Sequence, residues 1–270
     1  MEPLLIVVYV LAGAIAGTLA GLVGVGGGIL YVPVLVYSLN GRFGLEGTAQ
    51  VAVSTSLAVI IFSLSASAYT HYKAGNIELK PLPGLITGGV IGSVSASLGL
   101  GAVDADQFKM LLALFELLVA FQLLRGAHSN RVSARPPGLA VFVGIGLSGG
   151  LFSSFFGVGG GLVVMPLMHF FAGYKINKAV GSASVYMILV AIVGLFSHTV
   201  QLEPTADFPG LWHHIYLPSF LALLPTALVF NRVGALWVNR VRPERIKQGV
   251  GLLLLSLAAL NGYVGLQALG

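Results

Sequence analysis

Apolar stretches dominate the chain, in the order 4–23, 28–39, 48–72, 81–100, 107–125, 138–156, 161–172, 178–201, 215–233 and 246–268. Most of them reach the roughly 20 residues that an α-helix needs to cross a hydrocarbon core. Apolar and polar positions do not alternate within them, which argues against the strands of a membrane barrel. A backbone in hydrocarbon must satisfy its own polar groups, and without barrel strands that means helices. The pattern therefore predicts an all-α polytopic membrane protein. The stretches 28–39 and 161–172 stand apart. A dozen helical residues cover about 18 Å, against a core of about 30 Å. Neither can cross alone, and each follows a run of glycines.

Those runs are nearly the same text. Gly24-Val25-Gly26-Gly27-Gly28 recurs as Gly157-Val158-Gly159-Gly160-Gly161, with Pro33 and Pro166 at the same distance beyond. Tyr69-Thr70-His71 is echoed by Phe196-Ser197-His198, and Leu82-Pro83 by Leu217-Pro218. Repeats in this order imply duplication, a mark of many transporter folds. Residues 1–125 form the first transmembrane repeat, 126–137 a basic linker, and 138–270 the second repeat.

Composition agrees with the pattern. Hydrophobic residues make up 56% of the chain, charged residues 9%, and mean hydropathy is +0.93. A soluble domain carries nearer ~25% charged residues. Net charge is +5, but the bases sit in short loops, as the positive-inside rule expects, so no nucleic-acid partner is implied. With no cysteine, disulfides, iron–sulfur clusters and thiolate metal sites are excluded. Residues 3–23 contain Ala14-Ile15-Ala16, similar to a signal cleavage site, but only Glu2 precedes them; the expectation is a retained helix.

Loop charges set direction. Arg125, Arg131 and Arg135 place the linker in the cytoplasm; Arg232, Arg240, Arg242, Arg245 and Lys247 place the last loop there; Lys73 and Lys80 do the same for 73–80, which also holds Glu78. Loops 101–106 (Asp104, Asp106) and 202–213 (Glu203, Asp207) have acids and no base. Corresponding loops thus fall on opposite faces, so the repeats are inverted. Each glycine-broken pair then enters and leaves by one face, and both termini lie outside. The alternative is one broken helix crossing once, with parallel repeats.

Glycine lets a chain turn inside the membrane and lets another group approach bare backbone. Non-helical chain at that depth is tolerated where it lines a cavity or is buried in protein. The helix that follows starts with free N–H groups and a positive dipole end, which suits an anion. Two such starts entering from opposite faces would meet near the midplane, where inverted-repeat transporters hold substrate. The competing reading is packing, which suffices for the stripes Gly13, Gly17, Gly21 and Gly84, Gly88, Gly92. No G-K-[ST] follows either run, so neither is a nucleotide loop.

Other candidates follow. Ser54, Thr55, Ser56, Ser182 and Ser184 can donate to an anion or back-bond to their own helix. The serines align at an offset of 128 and the histidines at 127, so the register between the halves stays open. His71 and His198 lie near helix ends, where an interfacial placement competes with proton coupling. Glu116 is the acid deep in a span; its counterpart is Leu254, so it stands outside the duplicated machinery and pairs with a polar group or carries a proton. Pro33 and Pro166 are structural or gating candidates. Asn177 is read as a helix cap, and Tyr9, Trp212, Trp237 and Tyr263 as interfacial belt residues.

The duplicated GVGGG-(apolar)-P motif, the Val53-Ser54-Thr55-Ser56 segment and the overall length resemble the sulfite exporter TauE/SafE permease family across essentially the whole chain. The resemblance implies transport of small anions, mainly sulfur oxyanions and organosulfonates, and it maps the family motif onto Gly24 to Gly28 with Pro33 and Gly157 to Gly161 with Pro166. The resulting expectation is a secondary permease for a small anion in the inner cell membrane, working by alternating access. An anion channel and a permease for a non-sulfur organic anion are the alternatives. With no H-E-x-x-H, no paired aspartates in spans and no G-x-S-x-G, no enzymatic activity, catalytic residue, metal or cofactor is expected. The expected partners are the anion, the bilayer and a second copy of the chain.

Overall fold

The computed structural model describes residues 3–24, 26–39, 44–124, 137–201, 209–237 and 243–269. Among these are ten helices: α1 (Pro3–Val23), α2 (Gly28–Leu39), α3 (Gly44–Lys73), α4 (Leu82–Gly101), α5 (Ala105–Leu124), α6 (Leu139–Phe156), α7 (Gly161–Phe170), α8 (Ile176–Gln201), α9 (Leu217–Trp237) and α10 (Pro243–Leu269). Six of them, α1, α3, α4, α6, α8 and α9, are long and apolar enough to cross a membrane. Among the described residues the one pair of strands is a hairpin of two residues per strand, β1 (Leu211–Trp212) against β2 (Ile215–Tyr216), on the way into α9.

The two halves pack as exchangeable partners. If α1 to α5 correspond to α6 to α10, then α1 against α9 matches α6 against α4, and α3 against α9 matches α8 against α4; α3 pairs with α8 and α5 with α10. The α1–α9 and α4–α6 contacts are glycine-lined. Gly13 lies against Leu223 and Thr226, Gly17 against Ala227, and Gly234 against Thr18; Gly84 lies against Phe142, Gly88 against Val143 and Gly92 against Leu147. Small residues let helix backbones approach closely where lipid offers no hydrophobic drive. The Gly13 and Gly84 stripes are therefore packing seams.

These contacts also fix helix direction. Residue numbers rise together along α1 and α9 and along α4 and α6. They also rise together along α3 and α9: Thr55 Oγ1 accepts the Tyr216 amide, just ahead of α9, at 3.0 Å, and Asn231 Nδ2 donates to the Ser63 carbonyl at 3.0 Å. The corresponding helices α3 and α8 run oppositely: Ser54 meets His198 at 2.9 Å, and Asn76 meets Asn177 at 3.1 Å. So do α5 and α10, with Gly262 beside Ala113 and Gly251 beside Leu124. Corresponding helices that pack antiparallel mean that the halves cross in opposite senses. Because α1 and α3 run the same way, α2 carries the chain back between them, and the glycine-broken pair enters and leaves by one face.

Every residue from Val51 to Ile60 in α3 is buried, which places α3 at the centre of the bundle. Outer helices show the opposite. Leu4, Val7, Leu11 and Ile15 of α1 recur at helical spacing and are exposed, as a lipid-facing stripe requires. Trp212, Trp237 and Tyr263 are likewise exposed. Tyr9 is not a belt residue: it is fully buried, and its hydroxyl meets Ser38 Oγ at 2.7 Å.

Candidate functional site

Both glycine runs break the helix, with the same backbone. Gly24, Gly26 and Gly27 have φ of 71°, 89° and 73°; Gly157, Gly159 and Gly160 have 66°, 77° and 74°. Left-handed backbone costs an L side chain about 1–2 kcal/mol per residue, so glycine is required at all six positions. Gly24 closes α1 with its amide on the Ala20 carbonyl at 2.8 Å, and Gly157 closes α6 on Ser153 at the same distance. Four residues later, at Gly28 and Gly161, the chain restarts as helix. The Leu30 and Tyr31 amides bond to Gly27, and those of Val163 and Val164 bond to Gly160. The amides ahead of them, Gly28 and Ile29 in α2 and Gly161 and Leu162 in α7, have no acceptor within their own helix. Pro33 and Pro166 lie inside α2 and α7. Each removes one more helical bond, from the carbonyls of Ile29 and Leu162.

The breaks touch. A Cβ on Gly28 would collide with the Gly157 carbonyl; reciprocally, one on Gly161 would stand 2.9 Å from the Gly24 carbonyl. All the described break glycines and Val158 are buried; Val25 lies outside the described residues. The junction sits at half-height of the two central helices, since Gly28 and Gly159 face Ile60 of α3 while Gly161 and Gly26 face Met187 of α8.

The same contacts settle the register. Gly157 packs on Val53 as Gly24 packs on Val180, and Ile60 and Met187 play equivalent parts. The offset along α3 and α8 is therefore that of the histidines. Ser182 corresponds to Thr55, Ser54 to Gly181, and Ser184 to Leu57. Thr55 Oγ1 accepts the Tyr216 amide at 3.0 Å, and Ser182 Oγ accepts the Glu78 amide at 2.9 Å. Each hydroxyl thus anchors the segment leading into the outer helix of the other half. Ser184 bonds back to the Gly181 carbonyl at 2.8 Å.

Ser54 and Ser56 have no hydroxyl counterparts and mark an asymmetry. Ser56 donates to the Gly157 carbonyl at 2.7 Å and holds the second break directly. Ser54 Oγ lies 2.9 Å from His198 Nδ1, and His198 Nε2 lies 3.0 Å from the Ser154 carbonyl. A carbonyl only accepts, so Nε2 carries a proton; in the neutral ring Nδ1 is bare and Ser54 donates to it. His198 is fully buried, which corrects its interfacial placement: it ends α8 but points into the bundle. His71 is partly exposed in the last turn of α3, and the residue that faces it in the repeat relation is Gly181. Asn177 lies inside the first turn of α8, which starts at Ile176, rather than just before it; its Oδ1 accepts the Lys178 amide at 3.0 Å, and its Nδ2 donates to Asn76 Oδ1 at 3.1 Å and ties the start of α8 to the loop after α3.

Sequence reasoning passed over Tyr31. Its side chain folds over Gly27, where a Cβ would stand 2.8 Å from the hydroxyl. The residue is fully buried and the hydroxyl has no partner. Val164 stands in the equivalent place, so the duplicated text gave no signal. The Ser153 and Ser154 hydroxyls, in the last turn of α6 ahead of the second break, are buried and unpartnered too. Glu116 is fully buried, with Oε2 accepting from Asn261 Nδ2 at 2.7 Å. Among the described residues no group of three or more His, Cys, Asp or Glu is placed to hold a metal.

Known proteins point the same way. The family model described as Sulfite exporter TauE/SafE matches residues 9–261. A Haemophilus influenzae protein named Probable membrane transporter protein is 30% identical, covering 96% of this chain and 98% of its own. A Methanocaldococcus jannaschii relative of similar name is 28% identical over 97% of this chain and 95% of its own. Bacillus subtilis YunE, also named a probable membrane transporter, is 25% identical over 96% and 98%. No solved structure matches. The match from Tyr9 to Asn261, across both glycine breaks and every helix, means that this chain belongs to the sulfite exporter TauE/SafE family and is a multi-pass helical membrane transporter.

Proposed function

We propose that the protein is a secondary permease for a small anion of the sulfur oxyanion or organosulfonate class. The observation that carries this is the pair of helix breaks butted together at half-height, each at the start of a short helix whose first amides have no acceptor within that helix. Backbone amides at a helix start bind anions by hydrogen bonding and by the helix dipole. Among the described residues the buried lysine, Lys109, is spent on Asp106 at 2.8 Å, which leaves this role to the backbone. The family description, which names sulfite export, supports a sulfur oxyanion. A site enclosed on all sides requires motion to admit substrate. Two halves that cross in opposite senses supply it, by one half or bundle rocking against the other.

Chain order supports an orientation. Helices α3, α5 and α9 end, and α6, α8 and α10 begin, at one face. Of the fourteen Lys and Arg residues, all but Arg42 and Lys109 belong to the segments at or near that face. By the positive-inside rule it is cytoplasmic, which puts both termini outside the inner membrane.

The test is ligand-dependent thermal stabilisation of the purified protein by sulfite, sulfate, thiosulfate, sulfoacetate and taurine. Stabilisation by sulfur oxyanions or sulfonates supports the reading; stabilisation by non-anions alone overturns it. In liposomes, saturable, gradient-coupled flux distinguishes a permease from a channel.

A further inference from the structure

Among the described residues Glu116 takes part in no ion pair. It lies midway along α5, fully buried, with Oε2 held by Asn261 of α10. Its other oxygen, Oε1, and the Asn261 oxygen, Oδ1, are buried and lack a partner, as does the nearby Tyr37 hydroxyl on α2. Oε1, Oε2 and Oδ1 are acceptors; Asn261 Nδ2 donates to Oε2, and the Tyr37 hydroxyl, the other donor at hand, bonds to none of them, so two acceptors go without a hydrogen. Among the described residues no group of opposite sign repairs it. α10 presents Asn261 and α2 presents Tyr37, while the α6 rings Phe152 and Phe156 lie against the neighbouring Phe115. On α5 itself, Lys109 is bound to Asp106, two turns away. The titratable residues of α3 fall in its first turn (Glu46) and its last (Tyr69, His71, Tyr72, Lys73). One proton on Glu116 supplies the missing donor and removes an uncompensated charge from hydrocarbon.

The position also reaches both breaks. Phe115, the preceding residue, stacks on Phe156 with centroids 4.8 Å apart and planes 7° apart, and Phe156 is the residue before Gly157. Tyr37 belongs to the short helix that leaves the first break. A change of charge at Glu116 therefore acts on the residue that closes α6 and on the helix that opens the first half of the site.

We propose that Glu116 is a proton-binding site, neutral in this enclosed conformation and hydrogen-bonded to Asn261, whose exchange of a proton with water in an opened conformation couples proton movement to anion transport. The coupling, though not the proton, rests on the permease reading above. When the acid dissociates, the proton passes to water and the carboxylate remains with Asn261; reprotonation from water restores the pair.

The test is infrared spectroscopy of the purified protein, combined with a pH-sensitive dye in proteoliposomes given a sulfite gradient. The expected spectrum at neutral pH has the carbonyl band of a protonated carboxylic acid, lost in Glu116→Gln and shifted in Asn261→Leu, where its hydrogen-bond partner is gone. The expected vesicle result is sulfite-driven proton movement in the wild type and none in Glu116→Gln. Absence of the band in the wild type, or its persistence in Glu116→Gln, overturns the proton site. A band assigned to Glu116 with sulfite flux but no proton movement overturns the coupling and leaves a structural acid–amide pair. No saturable flux of any listed anion in wild-type vesicles would overturn the permease reading instead, and the infrared result still decides whether Glu116 holds a proton.

Discussion

Gly28→Ala isolates the contact between the two breaks from the strain within each. Gly28 is not among the left-handed glycines, so alanine fits its backbone. What does not fit is the methyl group: it would run into the Gly157 carbonyl and stand 2.8 Å from Val158 Cα and 2.9 Å from Ile60 Cδ1. Two of these three neighbours are backbone and cannot rotate aside, so the breaks must part. Overpacking of this kind costs about 1–3 kcal/mol. Three other glycines serve as references. Gly75 has φ +65° and open space around its Cβ direction, so Gly75→Ala carries only the strain, about 1–2 kcal/mol. Gly144, exposed within α6, has neither strain nor a neighbour within 4 Å; Gly144→Ala should gain about 0.5–1 kcal/mol. Gly157 has both, with φ +66° and Val32 Cγ2 at 2.9 Å, so Gly157→Ala should lose about 2–5 kcal/mol. Thermal unfolding in detergent ranks the four, and sulfite flux in proteoliposomes is measured beside it. The expected flux defect appears in Gly28→Ala and Gly157→Ala and not in Gly75→Ala. Wild-type melting and flux for Gly28→Ala would refute the claim that the breaks abut.

The remaining predictions concern single side chains. Tyr31→Phe removes a buried, unpartnered hydroxyl; the melting temperature should hold or rise, while sulfite affinity falls about tenfold or more if that hydroxyl donates to a charged guest. Unchanged affinity would take Tyr31 out of the site. Thr55→Val and Ser182→Ala each strand a backbone amide, of Tyr216 and Glu78, and should each destabilise by about 1–3 kcal/mol; hydrogen exchange at those two amides should quicken, and unaltered exchange would contradict the anchoring role. His198→Ala leaves the Ser54 hydroxyl and the Ser154 carbonyl without their partner and should cost about 2 kcal/mol or more, whereas His71→Ala, at a partly exposed position, should change melting little. Equal effects of the two would argue against the asymmetry.

Much of the architecture was legible in the chain. The expected segment 28–39 coincides with α2, and the other nine lie within a few residues of the helices observed, because apolar length and glycine punctuation set membrane helices directly. The glycine text located the breaks for the same reason: positive φ leaves few other residues. What stayed hidden depended on partners far along the chain. The pairs Ser54–His198, Thr55–Tyr216 and Glu116–Asn261 each join residues more than 100 positions apart. The serine register misled because Ser182 and Thr55 share a task across an offset that pairs Ser54 with glycine. The hairpin before α9 is two residues per strand, too short for any alternation to show.

The central claim is that a small anion sits between the two helix starts. Selenite, a heavier relative of sulfite, allows a direct test by anomalous diffraction from crystals of the wild-type protein grown with it. The account predicts a selenium peak at the junction, within hydrogen-bonding reach of the first amides of α2 and α7. A bound selenium peak elsewhere, with the junction of Gly28 and Gly161 empty, would contradict it.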